Sequence, residues 1–477
     1  MKIGAWNNRI RAGVRPLTAA SVRSEVWPLG FRRRGRLGTL AVLLIMLAPL
    51  GAVAQMTVGG GYLYVGNENT YMHPEVDVEG IEPIVLREPL TLANAVYVSK
   101  DAYRDPARLS IRAPLTSARG YVGHSPNGEG MAVVYGPTGS WTLSGLLTVG
   151  HAGWGYLRIE QGGVVHSTGA IIGVGYYGKG EATVTGFGST WINAGDFDLG
   201  VDSGGKLYVD NRAVLHCTGH LHVGTGWSSR SSRAALHVRG GARLMTGTAQ
   251  LEGGRSEAFV QGDGSLWDVR ELLEVGTQAR AYLFVENGGA LVVNHGRVSG
   301  TSRVYVRGLN SRWEATGTIE VGAAAGPGSV LVEQGARMTA KLLSIGPGSS
   351  VRASQGGTIA ADVQLDGGLL RLESTTCAFG TLQLGQAGSA TPRISRLEFV
   401  GDGPSVVTFQ NSDRISWMGT LRIEGYLAGQ DSLRILGNGS YPPFLPLTGA
   451  QLAQIWFADY NVSAQIDADG YVTPAGL

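Results

Sequence analysis

One stretch is written four times along this chain, and each copy is built on a tryptophan. The copies are VVYGPTGSWTLSGLLTVG at 133–150, TVTGFGSTWINAGDFDLG at 183–200, FVQGDGSLWDVRELLEVG at 259–276 and YVRGLNSRWEATGTIEVG at 305–322. A valine stands seven residues before each tryptophan and a glycine nine residues after it. Val134, Trp141 and Gly150 thus correspond to Val184, Trp191 and Gly200, to Val260, Trp267 and Gly276, and to Val306, Trp313 and Gly322. Such a repeat decides the fold, because one short unit cannot bury its own apolar face and must stack on its neighbours.

The tryptophans lie 50, 76 and 46 residues apart. The middle gap is one and a half units, so the elementary coil is half a unit, about 25 residues. Within a unit the tryptophan strand is followed by an alternating strand, as in Tyr156-Leu157-Arg158-Ile159, Lys206-Leu207-Tyr208-Val209 or Tyr282-Leu283-Phe284-Val285. A Gly-Gly turn comes next, and then a short strand: Val164-Val165-His166-Ser167 recurs 50 residues on as Val214-Leu215-His216-Cys217. Strands of this length separated by glycine corners predict an all-β chain, a single-stranded right-handed parallel β-helix with N- and C-terminal caps. Composition agrees, since glycine supplies 74 of 477 residues, about twice its ordinary share, while proline is only 18 and the hydrophobic fraction is 43%. Residues 109–375 then make about 11 coils and a rod of roughly 50 Å. Only Leu447–Gln454 is patterned for a turn or two of helix.

The expected division is a signal peptide at 1–54, an N-terminal cap at 55–108, the repeats at 109–375 and a C-terminal β cap at 376–477. The leader carries nine basic residues, the apolar run Leu40–Leu50 and an A-x-A-like site at Ala52-Val53-Ala54, which together mark export. Its apolar run is too short for a membrane span. Without residues 1–54 the chain holds 30 basic and 36 acidic side chains, a net charge of about −6, so no basic footprint for nucleic acid remains. Two cysteines, Cys217 and Cys377, do not make a disulfide framework, and buried free thiols are expected.

The combination G-S-x-W, then V-G nine residues on, then G-x-L-x-V and G-G, resembles the repeat shared by autotransporter passenger regions and exported proteins with a C-terminal Pro-Glu-Pro sorting signal (PEP-CTERM). The resemblance covers Leu109 to Val332. The stretches Leu447–Asp459 and Ala464–Pro474 also look like the end of the ectodomain in the sorting-signal proteins. It implies a β-helical, secreted or surface-displayed bacterial protein of unassigned activity. Two departures stand out: nothing after Thr376 is long enough for barrel strands, and the chain ends at Thr473–Leu477 where the sorting signal would stand. Release, a lost anchor or an anchor on another chain is the matching expectation.

Four groups of residues bear on chemistry. Trp141, Trp191, Trp267 and Trp313 offer either a glycan platform or a coil core, and with Gly150, Gly200, Gly276 and Gly322 they read as repeat-defining structural residues. Asp196, Asp198 and Asp202 alternate on one strand in the manner of an oxygen cluster for calcium, yet no calcium nonapeptide is present, and a solvated face is the simpler reading. Asp196, Asp198, Asp263 and Asp268 are the carboxylates from which a polysaccharide lyase or glycosidase groove would be drawn. His166 and His216 share a repeat position near His220 and His222, without a partner at metal-ligand spacing. Neither catalytic residues, cofactor nor metal are expected. The expected protein is a non-catalytic structural or adhesive component whose partners are glycans or other surface or matrix material, with no nucleic acid. Its alternatives are a polysaccharide-active enzyme and a detached autotransporter passenger.

Overall fold

The computed structural model describes residues 56–59, 62–65, 84–99 and 107–477, with short gaps at 176, 202, 225–232, 254–255, 323–324, 386–390 and 438–445. The leader at 1–54 lies outside them. The described chain is a parallel β-helix whose coils each contribute strand segments to three ladders. The first ladder runs from Ile84–Leu86 through Ala107–Ile111, Glu129–Tyr135 and Trp154–Glu160, then coil by coil to Ile455–Phe457, every step parallel. The second carries Pro114–Ser117, Ser140–Leu143, Val164–Ser167 and Thr190–Asn193. The third carries Ala95–Val98, Arg119–Val122, Leu146–Val149 and Gly169–Val174. Further on, single strands such as Val214–Val223 and Leu266–Val275 bend through the corner and serve both the second and third ladders.

The coil length is read directly from the register. Leu157, Ala182 and Leu207 are partners in successive coils, evenly spaced along the chain. The step then varies with the turns, lengthening from Leu207 to its partner Leu236 and shortening from Leu236 to Ala258. Most strands alternate in and out, as the pleat requires. Glu129–Tyr135 buries Gly130, Ala132 and Val134, and Trp154–Glu160 buries Gly155, Leu157 and Ile159. Each repeat copy is therefore one coil: its valine lies in the first ladder, its tryptophan in the second, and its glycine where the third ladder turns back toward the first. Gly150, Gly200, Gly276 and Gly322 all have φ between 74° and 91°. At Gly150 a Cβ would sit 2.3 Å from the Lys179 carbonyl oxygen, so backbone passes where a side chain would stand.

The tryptophans are fully buried and never occupy adjacent coils. Following their column up the second ladder gives Leu115, Trp141, Val165, Trp191, Leu215, Leu244, Trp267, Leu291, Trp313, Met338 and Ile359. Neighbouring coils are about 4.8 Å apart, too close for an indole edge-on in each without overfilling the interior. Aliphatic coils between them restore the volume, which is why the spacings are two coils, three coils and two coils. The ring tips are also given room: a Cβ at Gly120 would sit 2.5 Å from Trp141 Cζ2, and one at Gly296 would sit 2.7 Å from Trp313 Cζ2.

A buried indole N–H needs an acceptor. Trp141 donates to Ser117 Oγ at 3.0 Å, Trp191 to Ser167 Oγ at 3.0 Å and Trp267 to Thr246 Oγ1 at 3.3 Å. Each acceptor sits two residues beyond the tryptophan's partner on the preceding coil. At Trp313 that position is Val293, and the Trp313 Nε1 has no acceptor among the described residues. Val293→Thr is expected to complete the pattern and stabilise the chain by about 1 kcal/mol, read as a higher urea midpoint with unchanged slope. A lower midpoint would contradict it.

Beyond Glu373 the first ladder continues through Ile394–Val400, Thr420–Glu424 and Ile455–Phe457, and the antiparallel strand Val462–Ile466 covers the last of these. The strands Thr376–Ala378, Val406–Phe409 and Ser432–Ile435 form a separate parallel sheet. The third ladder ends at Leu382–Leu384, where Trp417 Nε1 donates to the Leu382 carbonyl at 2.9 Å and Met418 N–H to that of Leu384 at 2.7 Å. The helix at Gly449–Leu452 is closed by a Thr448–Gln451 capping box, and Gln451 Nε2 donates to the carbonyls of Ser412 and Ile415.

Candidate functional site

With Trp141, Trp191, Trp267 and Trp313 inside, the outer surface carries whatever chemistry the chain has. The two cysteines contribute none: Cys217 and Cys377 are buried free thiols, and burial pushes both up to about 11. A thiol at that value is protonated and inert at neutral pH.

The carboxylates considered together from the sequence are not brought together. Asp198 belongs to the third ladder and Asp196 directly precedes its strand, Asp263 belongs to the turn after Ser256–Gln261, and Asp268 to the second ladder beside Met245 and Val292. Asp202 lies outside the described residues. Asp196 accepts the backbone N–H of His220 at 3.0 Å, and Asp198 accepts from His222 Nδ1 at 2.8 Å. His166 and His216 are two coils apart with Ile192 between them. No group of three or more His, Cys, Asp or Glu is placed to hold a metal among the described residues.

The Asp198 hydrogen bond raises the His222 pKa above its ordinary 6.5, against a smaller opposing effect of burial. A raised histidine contributes stability that is complete below about 6.5 and is lost as pH rises through the folded-state value. Asp198→Asn is therefore expected to cost stability at pH 5.5 and much less at pH 8.5, with the His222 ring titrating lower by NMR. An equal cost at both pH values would sink the assignment.

On the first face an outward column reads Tyr208, His237, Phe259, Phe284 and Tyr305 in five consecutive coils. Ring centroids are 4.9, 4.7, 4.8 and 5.0 Å apart, with interplanar angles of 10°, 2°, 6° and 4°. The three inner rings spend both faces on their neighbours and the end rings Tyr208 and Tyr305 one face each, whereas a sugar stacks on a free face. Beside them run Arg239–Asp210, bidentate at 2.8 and 2.9 Å, and Arg307–Glu286. Farther along, Arg371 pairs with Glu398 at 2.9 and 3.0 Å. The column is a stacking ladder that stiffens the coil succession. Sequence reading missed it, although the signal is present as an aromatic residue directly before the aligned valine: Tyr208-Val209, His237-Val238, Phe259-Val260, Phe284-Val285 and Tyr305-Val306.

A concavity breaks the outer surface, a notch of about 470 Å³ at the corner between the second and third ladders. It lies at a length mismatch, one that also occurs where Gly247-Thr248 passes between 218–220 and 270–272. Val269, Val293 and Ala315 are partners before the corner, and Leu273, Gly296 and Ile319 are partners after it. The flanking coils cross that corner with three residues, 270–272 and 316–318, and the middle coil with only Asn294 and His295. The short corner is drawn in between two longer ones, and their side chains wall it. Gly296 forms part of the floor, with the Trp313 ring packed beneath it. Arg297 spans the notch wall, held by Glu274 at 2.6 Å and Glu320 at 3.0 Å, and these bonds raise its pKa further above the ordinary arginine value. His295 Nδ1 accepts the Thr318 backbone N–H at 3.2 Å, which leaves Nε2 to carry the proton of the neutral ring.

No protein-family model matches the chain, and no curated protein does. A solved structure does. It is described as the TibC-catalysed hyper-glycosylated TibA fragment 55–350, and it aligns at 14% identity over 68% of this chain and 94% of that one, with a TM-score of 0.32. Likeness at that level says nothing of activity. Among the described residues no helix is long and apolar enough to cross a membrane.

Proposed function

We propose that this chain is an exported β-helical rod, secreted or displayed at a cell surface, with a structural and adhesive role and no catalytic one. The observation that supports this most is the use made of the side chains. The four-copy tryptophan column is consumed inside, and the outer columns are stacked or ion-paired along the rod axis, from Tyr208 to Tyr305 and from Asp210 to Arg239. Such a surface resists bending and shear. The leader at 1–54 supports export, and its removal leaves a mildly acidic rod with no affinity for nucleic acid.

The rival reading is a polysaccharide-active enzyme, and the notch favours it to the extent that Glu271 and Glu320 stand on its two sides. Incubating the exported protein with a panel of polysaccharides separates the two. Binding without turnover is the expected result, and release of shorter saccharides would overturn the non-catalytic reading.

A further inference from the structure

We propose that the corner notch is a binding site for a neutral sugar unit, which makes it the adhesive contact of the rod. This rests on the adhesive reading above and gives that reading a place and a ligand class.

The lining alternates donors and acceptors around an apolar flank. Glu271 and Glu320 present carboxylate oxygens, His295 presents its Nε2–H, and Asn294 presents its amide N–H groups because its Oδ1 already accepts the Thr316 hydroxyl at 2.9 Å. Leu272 supplies the apolar flank, and Arg297 is fixed in place by its two glutamates. A phosphate or sulfate would meet two carboxylates, and a bare cation would meet a guanidinium and two sets of N–H donors. A pyranose satisfies both sets, since each hydroxyl donates and accepts while the ring keeps an apolar C–H face. The volume is that of a small-molecule site and accommodates one or two sugar rings. The walls are preorganised: the His295 tautomer is set by a backbone N–H, and the Gly296 floor rests on a fully buried indole. Gly317 makes room for the imidazole, since a Cβ there would sit 2.5 Å from His295 Cε1.

The notch also occurs where the repeat copies differ. In the copy before it, Arg270, Glu271 and Leu272 fill the corner without a glycine, while the copy after it has Thr316-Gly317-Thr318. The short corner recurs at Gly247-Thr248, but Asn294 and His295 and their setting between Glu271 and Glu320 do not.

The test uses the full exported chain with glucose, galactose and N-acetylglucosamine as probes, each as the monosaccharide and as its β-1,4 tetramer. Saturation-transfer NMR and calorimetry read the binding. At least one probe is expected to bind saturably. Glu271→Gln and His295→Ala are each expected to weaken it about tenfold or more, with melting temperature unchanged. Glu181→Gln on the first face is expected to leave it unaltered. Should His295→Ala destabilise the coil, Glu271→Gln decides alone, because Glu271 is exposed. Absence of binding by every probe, or binding that survives these substitutions, overturns the site and leaves the rod reading standing. Release of product from a tetramer would support the ligand class and overturn the non-catalytic reading.

Discussion

Replacing Trp191 by alanine is expected to lower the stability of the repeat region by about 3–5 kcal/mol. The indole is completely buried, packs edge-on against Phe197 with ring centroids 4.9 Å apart, and donates to Ser167 Oγ at 3.0 Å. Truncation leaves a cavity bounded by Val165 and Leu215 on the neighbouring coils, and backbone ladders on both sides keep it from collapsing. It also removes the donor to Ser167 Oγ, which keeps its own bond to Asn193 Oδ1 at 2.7 Å. The cost should appear as a lower urea midpoint and as faster amide exchange in the coils around 165–217. A substitution at Glu181, a half-buried residue on the outward side of the first ladder, is the control, with a change within about 0.5 kcal/mol. Loss below about 1 kcal/mol for Trp191→Ala would mean that the column is not the core of the stack.

Gly180→Val is expected to be at least as damaging, by a different route. Gly180 faces inward in the first ladder, in line with Gly155 and Gly205. A Cβ at Gly180 would stand 2.2 Å from the Val149 carbonyl oxygen and 2.4 Å from the Gly173 backbone nitrogen. These are backbone atoms of the adjacent turn, so no rotamer change relieves the clash. Overpacking typically costs about 1–3 kcal/mol where side chains can yield, and here the third ladder must shift instead, so a loss above about 3 kcal/mol is expected. Limited proteolysis should cut near 173–180 in the variant and not in the parent chain. Equal resistance of the two would refute the close approach. The two substitutions distinguish filling from spacing: one removes volume the interior needs, and the other adds volume where the backbone has none to give.

Much of this architecture is visible in the residue pattern. Four tryptophans, each with a valine before it and a glycine after it at constant offsets, fix both the stacking and the approximate coil length. The wide gap between Trp191 and Trp267 reads as an extra half-unit, and in the structure it is the additional aliphatic coil of Leu244. The outer surface was far less legible. Tyr208, His237 and Phe259 are unevenly spaced along the chain, and turns of unequal length hide the fact that they share a column. The same irregularity separated the candidate carboxylates: Asp196 and Asp198 lie on one coil and Asp263 and Asp268 on another, on different ladders, so the four do not converge.

The sequence by itself determined that this chain must stack, because a unit with one buried valine, one buried tryptophan and a left-handed glycine corner can close its core only against copies of itself. It also determined the approximate coil length, since glycine corners punctuate it. Only the tertiary structure decided what the surface presents. Whether two outward residues meet depends on register, and register depends on the exact length of every preceding turn. The notch between Glu271 and Glu320 lies at one of the corners that are a single residue shorter than their neighbours. A one-residue difference of that kind carries no signature until the coils are laid on one another.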